Sequence, residues 1–432
     1  MLGVLEKNGL QIVTDPQTAD ILLVNTCGFI QSAVEEAVET ILQLAEYKKQ
    51  NPVAMLVVVG CLVQRYRLQL QEELPEVDLF VGTDDYDHIH RLIQQAQQQR
   101  SSLFSVHQTP QRILDATVPR RLTTPSHRGY LKLTEGCDNR CTYCLIPSLR
   151  GPLRSREIAD LVREARQLED MGVKELTLIA QDLTAYGNDK GGTEGLPDLL
   201  RRLHSETSIP WIRLLYLYPD KITDVLLDVI ADSPRILPYL DIPIQHVATR
   251  VLRRMNRQYD RQRLEELFAA IRLNLPDAAL RTTLMVGFPG ETDDDFEELL
   301  AFVQEQRMEH VGVFQYEDEE ESAAYHLGQK CSPEIKEERF HRLMQVQADI
   351  SQQLMRRFVG KKLQVLVEGV SSETDLLLEA RTWFQAADID GVVYISRGTA
   401  NPGDLVEVTI TEAHPYDLVG EIGKENEEVG SV

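Results

Sequence analysis

The sequence predicts an α/β protein in three parts: an open parallel α/β domain, a partial (β/α)6 barrel and a small all-β barrel. Two observations favour the first two parts: short apolar runs alternate with polar, helix-like stretches as far as residue 316, and six such repeats fall between 130 and 316. A third favours the last part, because short strand-like runs separated by Gly, Pro, Asn and Asp turns follow Gly360.

The amino-terminal part begins with apolar runs at 21–27 and 54–61, each followed by a polar stretch. These runs are rich in Val, Leu and Ile, which is typical of buried parallel strands. A further strand is predicted at 77–82, and the polar stretch 95–112 indicates a domain boundary.

The central part has six predicted strands, separated by amphipathic, charged stretches and followed by one long predicted helix at 333–358. The strands are predicted at 130–136, 173–180, 211–218, 237–244, 280–288 and 310–316. The terminal β-barrel has predicted strands at 363–370, 376–383, 391–398 and 405–413. The predicted domains are therefore 1–112, 123–358 and 361–432.

Composition narrows the class of protein. The 432 residues are 43% hydrophobic, as in globular proteins, and no apolar run reaches the roughly 18 residues of a membrane span. The start lacks the basic region of a signal peptide, so the cytoplasm is expected. The formal charge of −23 argues against a nucleic-acid partner and favours a basic protein. An acidic surface that serves only solubility is the alternative.

Three cysteines, Cys137, Cys141 and Cys144, lie within eight residues, and no fourth is close in sequence. Thiolates bind iron–sulfur clusters, and a four-iron cluster on three thiolates keeps one iron open to another ligand. The alternatives are a structural zinc site completed by a distant His, or buried free thiols. Two further cysteines, Cys27 and Cys61, end predicted parallel strands, where α/β sheets bind ligands; burial as small apolar residues is their alternative.

The spacing of the triplet, with Tyr143 before its last cysteine, resembles the radical S-adenosylmethionine (SAM) enzymes. The resemblance implies a [4Fe-4S] cluster on Cys137, Cys141 and Cys144 whose open iron chelates SAM. It also implies an electron transfer that breaks a carbon–sulfur bond of SAM to give a 5′-deoxyadenosyl radical. The backbone around Tyr143 would face the adenine.

The motifs NTCGFI, GCL, AQDLTAYG, DIPIQHV and RTTLMVGFPGET resemble the methylthiotransferases within that superfamily. This implies a second [4Fe-4S] cluster in the amino-terminal domain and a carboxyl-terminal TRAM domain that recognises the substrate. One SAM would methylate sulfur at the second cluster, and another would supply the radical. Cys27 and Cys61 would be ligands of the second cluster. The resemblance also implies a strand and a cysteine before the segment in which Met1 falls, so we expect the amino-terminal domain to be truncated at its start and the third ligand to be missing; Cys331 is a distant substitute.

Two branches of the family differ in substrate: one modifies adenosine in transfer RNA, the other the β-carbon of an aspartate in small-subunit ribosomal protein number twelve. IPSLRG at 146–151 and HPYDLVGEI at 414–422 resemble the second. Residues 361–432 carry 5 Lys or Arg against 14 Asp or Glu, a poor composition for binding phosphates and a suitable one for a basic ribosomal protein. The resemblance also implies an electron donor. It leaves the sulfur donor open, and a non-catalytic iron–sulfur protein remains a third hypothesis.

Further candidates follow the barrel strands, where a barrel binds its ligands. SAM contacts are expected at Gln181, Gln245, Gly287 and Gly290, and Asp182 and His246 are further candidates. The alternatives are a helix cap for Asp182, a structural role for His246 and a plain turn at the glycines. Arg150, Arg154 and Arg156 are expected to solvate a loop rather than to bind the SAM carboxylate. The acidic segment 316–325 departs from the family pattern, and its role toward the substrate is open.

Overall fold

The computed structural model describes residues 1–51, 53–99, 102–191 and 194–423, and it divides into two compact units. The first unit combines Met1–Thr123, Thr134–Leu161 and Glu317–His326. The second combines Thr124–Leu133, Val162–Tyr316 and Leu327–Val432. The loop that carries the cysteine triplet therefore groups with the amino-terminal sheet. The three domain ranges stay a prediction.

The amino-terminal part of the first unit alternates strands and helices as predicted. Its helices are α1 (Leu2–Lys7), α2 (Gln31–Gln50), α3 (Cys61–Tyr66), α4 (Leu68–Glu73) and α5 (Ile89–Gln98). Its strands are β1 (Ile21–Thr26), β2 (Met55–Gly60), β3 (Leu79–Val81) and β4 (Leu103–Ser105). All neighbours pair in parallel, in the order β1-β2-β3-β4.

Burial explains this sheet. Every residue of β2 is buried, and separate apolar clusters cover the two faces: Leu56 and Val58 belong to one, Val57 and Val59 to the other. A parallel sheet that is covered on both faces needs continuous apolar strands. The apolar run at 54–61 therefore predicted a strand correctly. The fourth strand, β4, lies within the stretch 95–112 that was interpreted as a boundary.

The central elements follow in chain order. The strands are β5 (Arg128–Lys132), β6 (Thr134–Glu135), β7 (Arg154–Ser155), β8 (Glu175–Ile179), β9 (Trp211–Leu214), β10 (Ile236–Asp241), β11 (Ala279–Val286) and β12 (His310–Gln315). The helices are α6 (Ile146–Arg150), α7 (Ile158–Asp170), α8 (Leu196–Glu206), α9 (Asp224–Ala231), α10 (Thr249–Arg254), α11 (Arg261–Asn274), α12 (Asp293–Gln306) and α13 (Pro333–Met355).

Six of these strands form the partial barrel of the second unit, in the order β12-β11-β10-β9-β8-β5, and all neighbours are parallel. The predicted incomplete six-stranded barrel is confirmed. β9 and β10 end earlier than predicted. The apolar sequence pattern continues beyond each strand because the following loops are buried too: Leu217 and Ile242 are 0% exposed.

The carboxyl-terminal part of the second unit is a closed five-stranded barrel, which confirms the predicted all-β fold. Its strands are β13 (Lys362–Val370), β14 (Leu378–Thr382), β15 (Val393–Arg397), β16 (Leu405–Ala413) and β17 (Leu418–Ile422). They follow the order β13-β14-β15-β17-β16. β17, the fifth strand, closes the barrel by pairing in parallel with β15 and antiparallel with β16. Residues 424–432 of the predicted domain lie outside the described residues.

None of the helices within the described residues combines the length and the apolar character that crossing a membrane requires.

Candidate functional site

Cys27 and Cys61 leave the amino-terminal sheet side by side. The strand register pairs Thr26 with Gly60, so the next residue of each chain segment is a cysteine. Gly60 has φ +113, and a Cβ there would lie 2.5 Å from the Thr26 carbonyl oxygen. Only glycine fits this position without strain. Cys27 is exposed, whereas Cys61 is buried as the first residue of α3.

The loop after Cys27 packs directly on α3. A Cβ on Gly28 would lie 2.7 Å from the backbone nitrogen and Cα of Leu62. Arg65 of the same helix donates from Nη1 to the Gly28 carbonyl oxygen at 3.0 Å. The two cysteine-bearing segments are therefore held together by backbone contact and by one arginine.

Cys137, Cys141 and Cys144 lie in one half-buried loop that is fixed by its backbone. Cys137 donates its N–H to the Gly151 carbonyl at 3.2 Å, and Cys144 donates to the Cys141 carbonyl at 3.1 Å. The Asp138 carboxylate accepts from the Leu153 N–H at 3.0 Å. These bonds set the path of the loop without using the thiols.

The triplet loop and Cys61 share an apolar wall in the first unit. Cys61 packs in one buried cluster with Leu145, which follows Cys144 directly, and with Leu149. Thr83, beyond the end of β3, donates from its hydroxyl to the Leu149 carbonyl at 3.5 Å. The structure thus brings both predicted cysteine sites into one neighbourhood.

Arg150 also lies beside Cys61. The sequence predicted only that Arg150 solvates a loop, so this contact was missed. Burial raises the pKa of the Cys61 thiol, although a hydrogen bond and the charge of Arg150 oppose that rise. Burial also raises the pKa of Tyr86 to about 12, and Arg150 opposes this shift as well. The Glu135 carboxylate lies 3.6 Å from Arg150. Arg150 is therefore a half-buried cation beside a candidate ligand thiol.

The other two arginines are engaged elsewhere. Arg156 forms a buried pair with Asp160, at 2.6 Å from Nη2 to Oδ2. Arg154 donates to the Pro152 carbonyl at 2.8 Å and to the Arg150 carbonyl at 3.0 Å. Both therefore stabilise their own segment, but Arg156 is buried in its ion pair and does not solvate the loop as expected.

Within the described part of the chain, no group of three or more His, Cys, Asp or Glu side chains could hold a metal ion as it stands. The donor set of the triplet loop nevertheless fits a four-iron cluster: it offers three thiols in one anchored, half-buried loop. Cys27 and Cys61 supply two more thiols at adjacent strand ends. The ligand roles of these five cysteines stay predictions.

The strand ends of the barrel carry the remaining candidates, all in the second unit. Gln181 is exposed after β8. Asp182 accepts from the Ala185 N–H at 3.2 Å and from Lys221 Nζ at 2.7 Å, so it caps a turn. The Asp182 carboxylate thus makes the contacts of a helix cap, which is the alternative to a SAM or substrate contact.

Gln245 and His246 follow β10. Gln245 has φ +66, outside the region that side chains favour, and its backbone bonds Thr283 and Met285 of β11 at 2.8 and 2.7 Å. Backbone strain of this kind clusters at functional sites. His246 is fully buried; its Nδ1 accepts from the Ala248 N–H at 3.0 Å, and burial lowers its pKa to about 3. The His246 ring is therefore neutral, and its Nε2 is buried without a hydrogen-bond partner among the described residues, so a SAM or substrate contact stays a prediction.

Gly287 and Gly290 have φ +74 and +86. A Cβ on Gly287 would lie 2.3 Å from Lys336 Cγ, and one on Gly290 would lie 2.8 Å from Arg254 Cζ. The positive φ values therefore already favour glycine at both positions, and close approach to SAM stays a prediction. Cys331, also in the second unit, lies 3.7 Å from the Glu291 carbonyl oxygen and 3.6 Å from Arg339 Nη1.

Three family profiles match successive parts of the chain. The radical SAM superfamily matches residues 131–303, the TRAM domain 359–422, and a family described as uncharacterized protein family UPF0004 residues 1–82. The chain is 51% identical over 424 residues to a protein of Desulfotalea psychrophila named ribosomal protein uS12 methylthiotransferase RimO, covering 97% of this chain and 94% of the relative. The chain belongs to the RimO family. The Geobacter sulfurreducens member is 47% identical, with 98% and 94% covered.

Membership of the RimO family makes the protein a radical SAM methylthiotransferase, with an iron–sulfur cluster and SAM as cofactors. Among solved structures, the chain is similar to TsrM of Kitasatospora setae, a radical SAM methyltransferase, with a TM-score of 0.55 at 15% identity and 76% and 78% of the two chains covered. A second TsrM structure gives a TM-score of 0.53 at 16% identity, with 68% and 63% covered. At this identity the likeness shows the fold alone.

Sequence reasoning missed two residues of the first unit, Arg65 and Glu319. They form an ion pair at 2.8 Å although 254 residues separate them in the chain. No local pattern could have linked them. The only signal was the unusual acidity of the segment 316–325.

Proposed function

We propose that the protein transfers a methylthio group to the β-carbon of an aspartate in ribosomal protein uS12. The observation that carries the proposal is 51% identity, over 97% of the chain, to a relative named for this substrate. The acidic composition of residues 361–432 supports a basic ribosomal partner. Ribosomal substrates would place the enzyme in the cytoplasm.

The proposal includes two four-iron clusters. One would be held by Cys137, Cys141 and Cys144, the other by Cys27, Cys61 and a further ligand. When bound, the first supplies the electron that cleaves SAM, and the second holds the sulfur to be transferred. Support comes from the placement of both cysteine sets in one compact unit, with Cys61 packed against Leu145.

The chain's own residues would bind and orient rather than exchange protons with the substrate. A β-carbon C–H bond has no acidic proton for a base to remove, so the cofactor carries the difficult step. Two carboxylates near the barrel strand ends have protein partners: Asp182 caps a turn, and Glu291 pairs with Arg339 at 2.9 Å. Arg150 would donate to the sulfur of Cys61 and exclude water beside it.

Mass spectrometry of purified uS12 after anaerobic reaction with the reconstituted enzyme, SAM and a one-electron reductant tests the function. We expect one aspartate to exchange a hydrogen for a methylthio group, and uS12 with that aspartate changed to alanine to stay unmodified. Transfer RNA treated in parallel is the second substrate. Methylthioadenosine in that RNA with unmodified uS12 would reject the proposal.

Iron counting tests the two clusters separately. We expect about eight iron atoms per reconstituted chain once a third ligand completes the site of Cys27 and Cys61, since each of two clusters contains four. The Cys331→Ala variant is expected to retain the same iron content, because the Cys331 thiol contacts Glu291 and Arg339. About four iron atoms in the wild type would reject the second cluster, and iron lost on substitution would make Cys331 a ligand.

A further inference from the structure

The acidic segment Glu317–His326 contains one buried carboxylate. Glu319 is 4% exposed, whereas its neighbours Glu317, Asp318, Glu320 and Glu321 are exposed. Taking a carboxylate out of water is unfavourable unless it is paired and hydrogen-bonded. Glu319 must therefore have specific partners.

Those partners are Arg65 and the start of α2. Arg65 Nη2 lies 2.8 Å from Glu319 Oε2, and the two side chains are 3% and 5% exposed. Glu319 Oε1 accepts from the Gln31 N–H at 2.7 Å. Gln31 is the first residue of a 20-residue helix, where an acceptor satisfies an otherwise unpaired backbone donor. Both carboxylate oxygens are thus engaged.

The same pair holds the loop that follows Cys27. Arg65 uses its other terminal nitrogen, Nη1, to donate to the Gly28 carbonyl at 3.0 Å. Gly28 and Gln31 are therefore attached to one guanidinium–carboxylate pair, and they bracket the residues immediately after the cysteine. Because Arg65 is almost fully buried and already has acceptors, it is not available to bind a substrate carboxylate.

The far end of the segment contacts the triplet loop. Ala324 donates its N–H to the Thr142 carbonyl at 2.8 Å, and Thr142 lies between Cys141 and Cys144. One segment of ten residues therefore touches the Cys27 loop near its start and the triplet loop near its end. All of these residues belong to the first unit.

We propose that Glu319 is a positioning residue that, through Arg65, fixes the Cys27 loop relative to the triplet loop. The segment Glu317–His326 acts as a strap between the two cysteine sites. The inference rests on the proposed function, because fixed spacing between a radical source and a sulfur-bearing site matters only if both serve one reaction. Misplaced reacting groups lower transfer while each site stays intact.

The test compares Glu319→Gln with Glu320→Gln, an equal charge change at an exposed position of the same strap. Amide hydrogen exchange of residues 27–31 is measured first. The Gln31 N–H donates to the Glu319 carboxylate, so we expect exchange at Gln31 to accelerate roughly tenfold or more in Glu319→Gln and to stay unchanged in Glu320→Gln. Equal exchange in the two variants would overturn the proposal.

The second measurement is the ratio of 5′-deoxyadenosine to methylthiolated product. We expect iron content and SAM cleavage to be retained in Glu319→Gln while the ratio rises roughly tenfold. A ratio equal to that of Glu320→Gln would overturn the positioning role, and so would a loss of iron, which would make Glu319 a residue that retains the cluster.

Arg65→Lys is the second variant, since it keeps the charge pair but cannot reach Glu319 and Gly28 together; the same direction of change is expected. Exchange unaltered in Arg65→Lys would count against the strap. Failure of the proposed function is recognised separately, because a wild-type enzyme that makes no methylthio product still yields the exchange and iron measurements.

Discussion

Glu175, at the start of β8, forms a buried ion pair with Arg381 of the terminal β-barrel. Arg213 of β9 binds the other oxygen of the same carboxylate at 2.5 Å. Burial alone would raise the pKa of Glu175, but the two guanidinium groups outweigh it and hold that pKa at about 2. The pair joins the partial barrel to the five-stranded barrel within the second unit.

Glu175→Gln is expected to destabilise the protein by about 3–5 kcal/mol, because it leaves two buried arginine charges without their shared partner. The midpoint of urea unfolding measures the effect. Glu407→Gln is the matched control, since the Lys362–Glu407 pair of the terminal barrel is more than 60% exposed and such pairs contribute about 0–1 kcal/mol. Equal shifts in the two variants would contradict the buried pair.

The sign of the pH dependence follows from the lowered pKa of Glu175. A depressed carboxylate contributes stability above its unfolded pKa of 4.5 and loses it as pH falls toward about 2. The wild type should therefore lose more stability than Glu175→Gln between these pH values. Parallel curves for the two proteins would contradict the assignment.

The pKa of Glu291 is shifted in the opposite direction to that of Glu175. Burial raises its pKa to about 7, against the opposing charge of Arg339. A raised carboxyl pKa contributes stability below the unfolded value of 4.5, and that contribution is lost as pH rises to about 7. Unfolding measured from pH 4.5 to 8 should show the wild type losing stability relative to Glu291→Gln. A constant difference between the two curves would refute the raised pKa.

Gly60 tests the contact between the two cysteine-bearing strand ends. Gly60→Ala should destabilise the protein by about 2–4 kcal/mol, since φ is +113 and the added Cβ meets the Thr26 carbonyl oxygen at 2.5 Å. Gly9→Ala is the control: φ is +87, but no atom lies within 4 Å of its Cβ position. Thermal unfolding compares them. Similar losses would mean that backbone strain alone, without the contact, accounts for the effect.

The barrel strands were predictable because each is a buried apolar run between amphipathic helices. Their ends were not, since loop residues such as Leu217 are as buried as the strands. β4 was missed because it consists of three half-buried residues in a polar stretch. β17 was missed because it pairs with β15, which is not its neighbour in the sequence.

For the candidate site, the spacing of the cysteines predicted the donor sets, and the strand ends placed Cys27 beside Cys61. The partners around them were not predictable. Arg150 contacts Cys61 only because the triplet loop packs on α3. Glu319 lies just after the last strand of the partial barrel, far from Arg65 in the sequence. Such contacts depend on tertiary packing, which a local pattern does not encode.

Paired assays of Cys141→Ala and Cys27→Ala test the central claim, that two cysteine sites divide the work of one reaction. SAM cleavage and methylthio transfer to uS12 are measured on each reconstituted variant. We expect Cys141→Ala to abolish cleavage and Cys27→Ala to cleave SAM without transferring sulfur. Methylthio transfer retained in Cys27→Ala would contradict the claim.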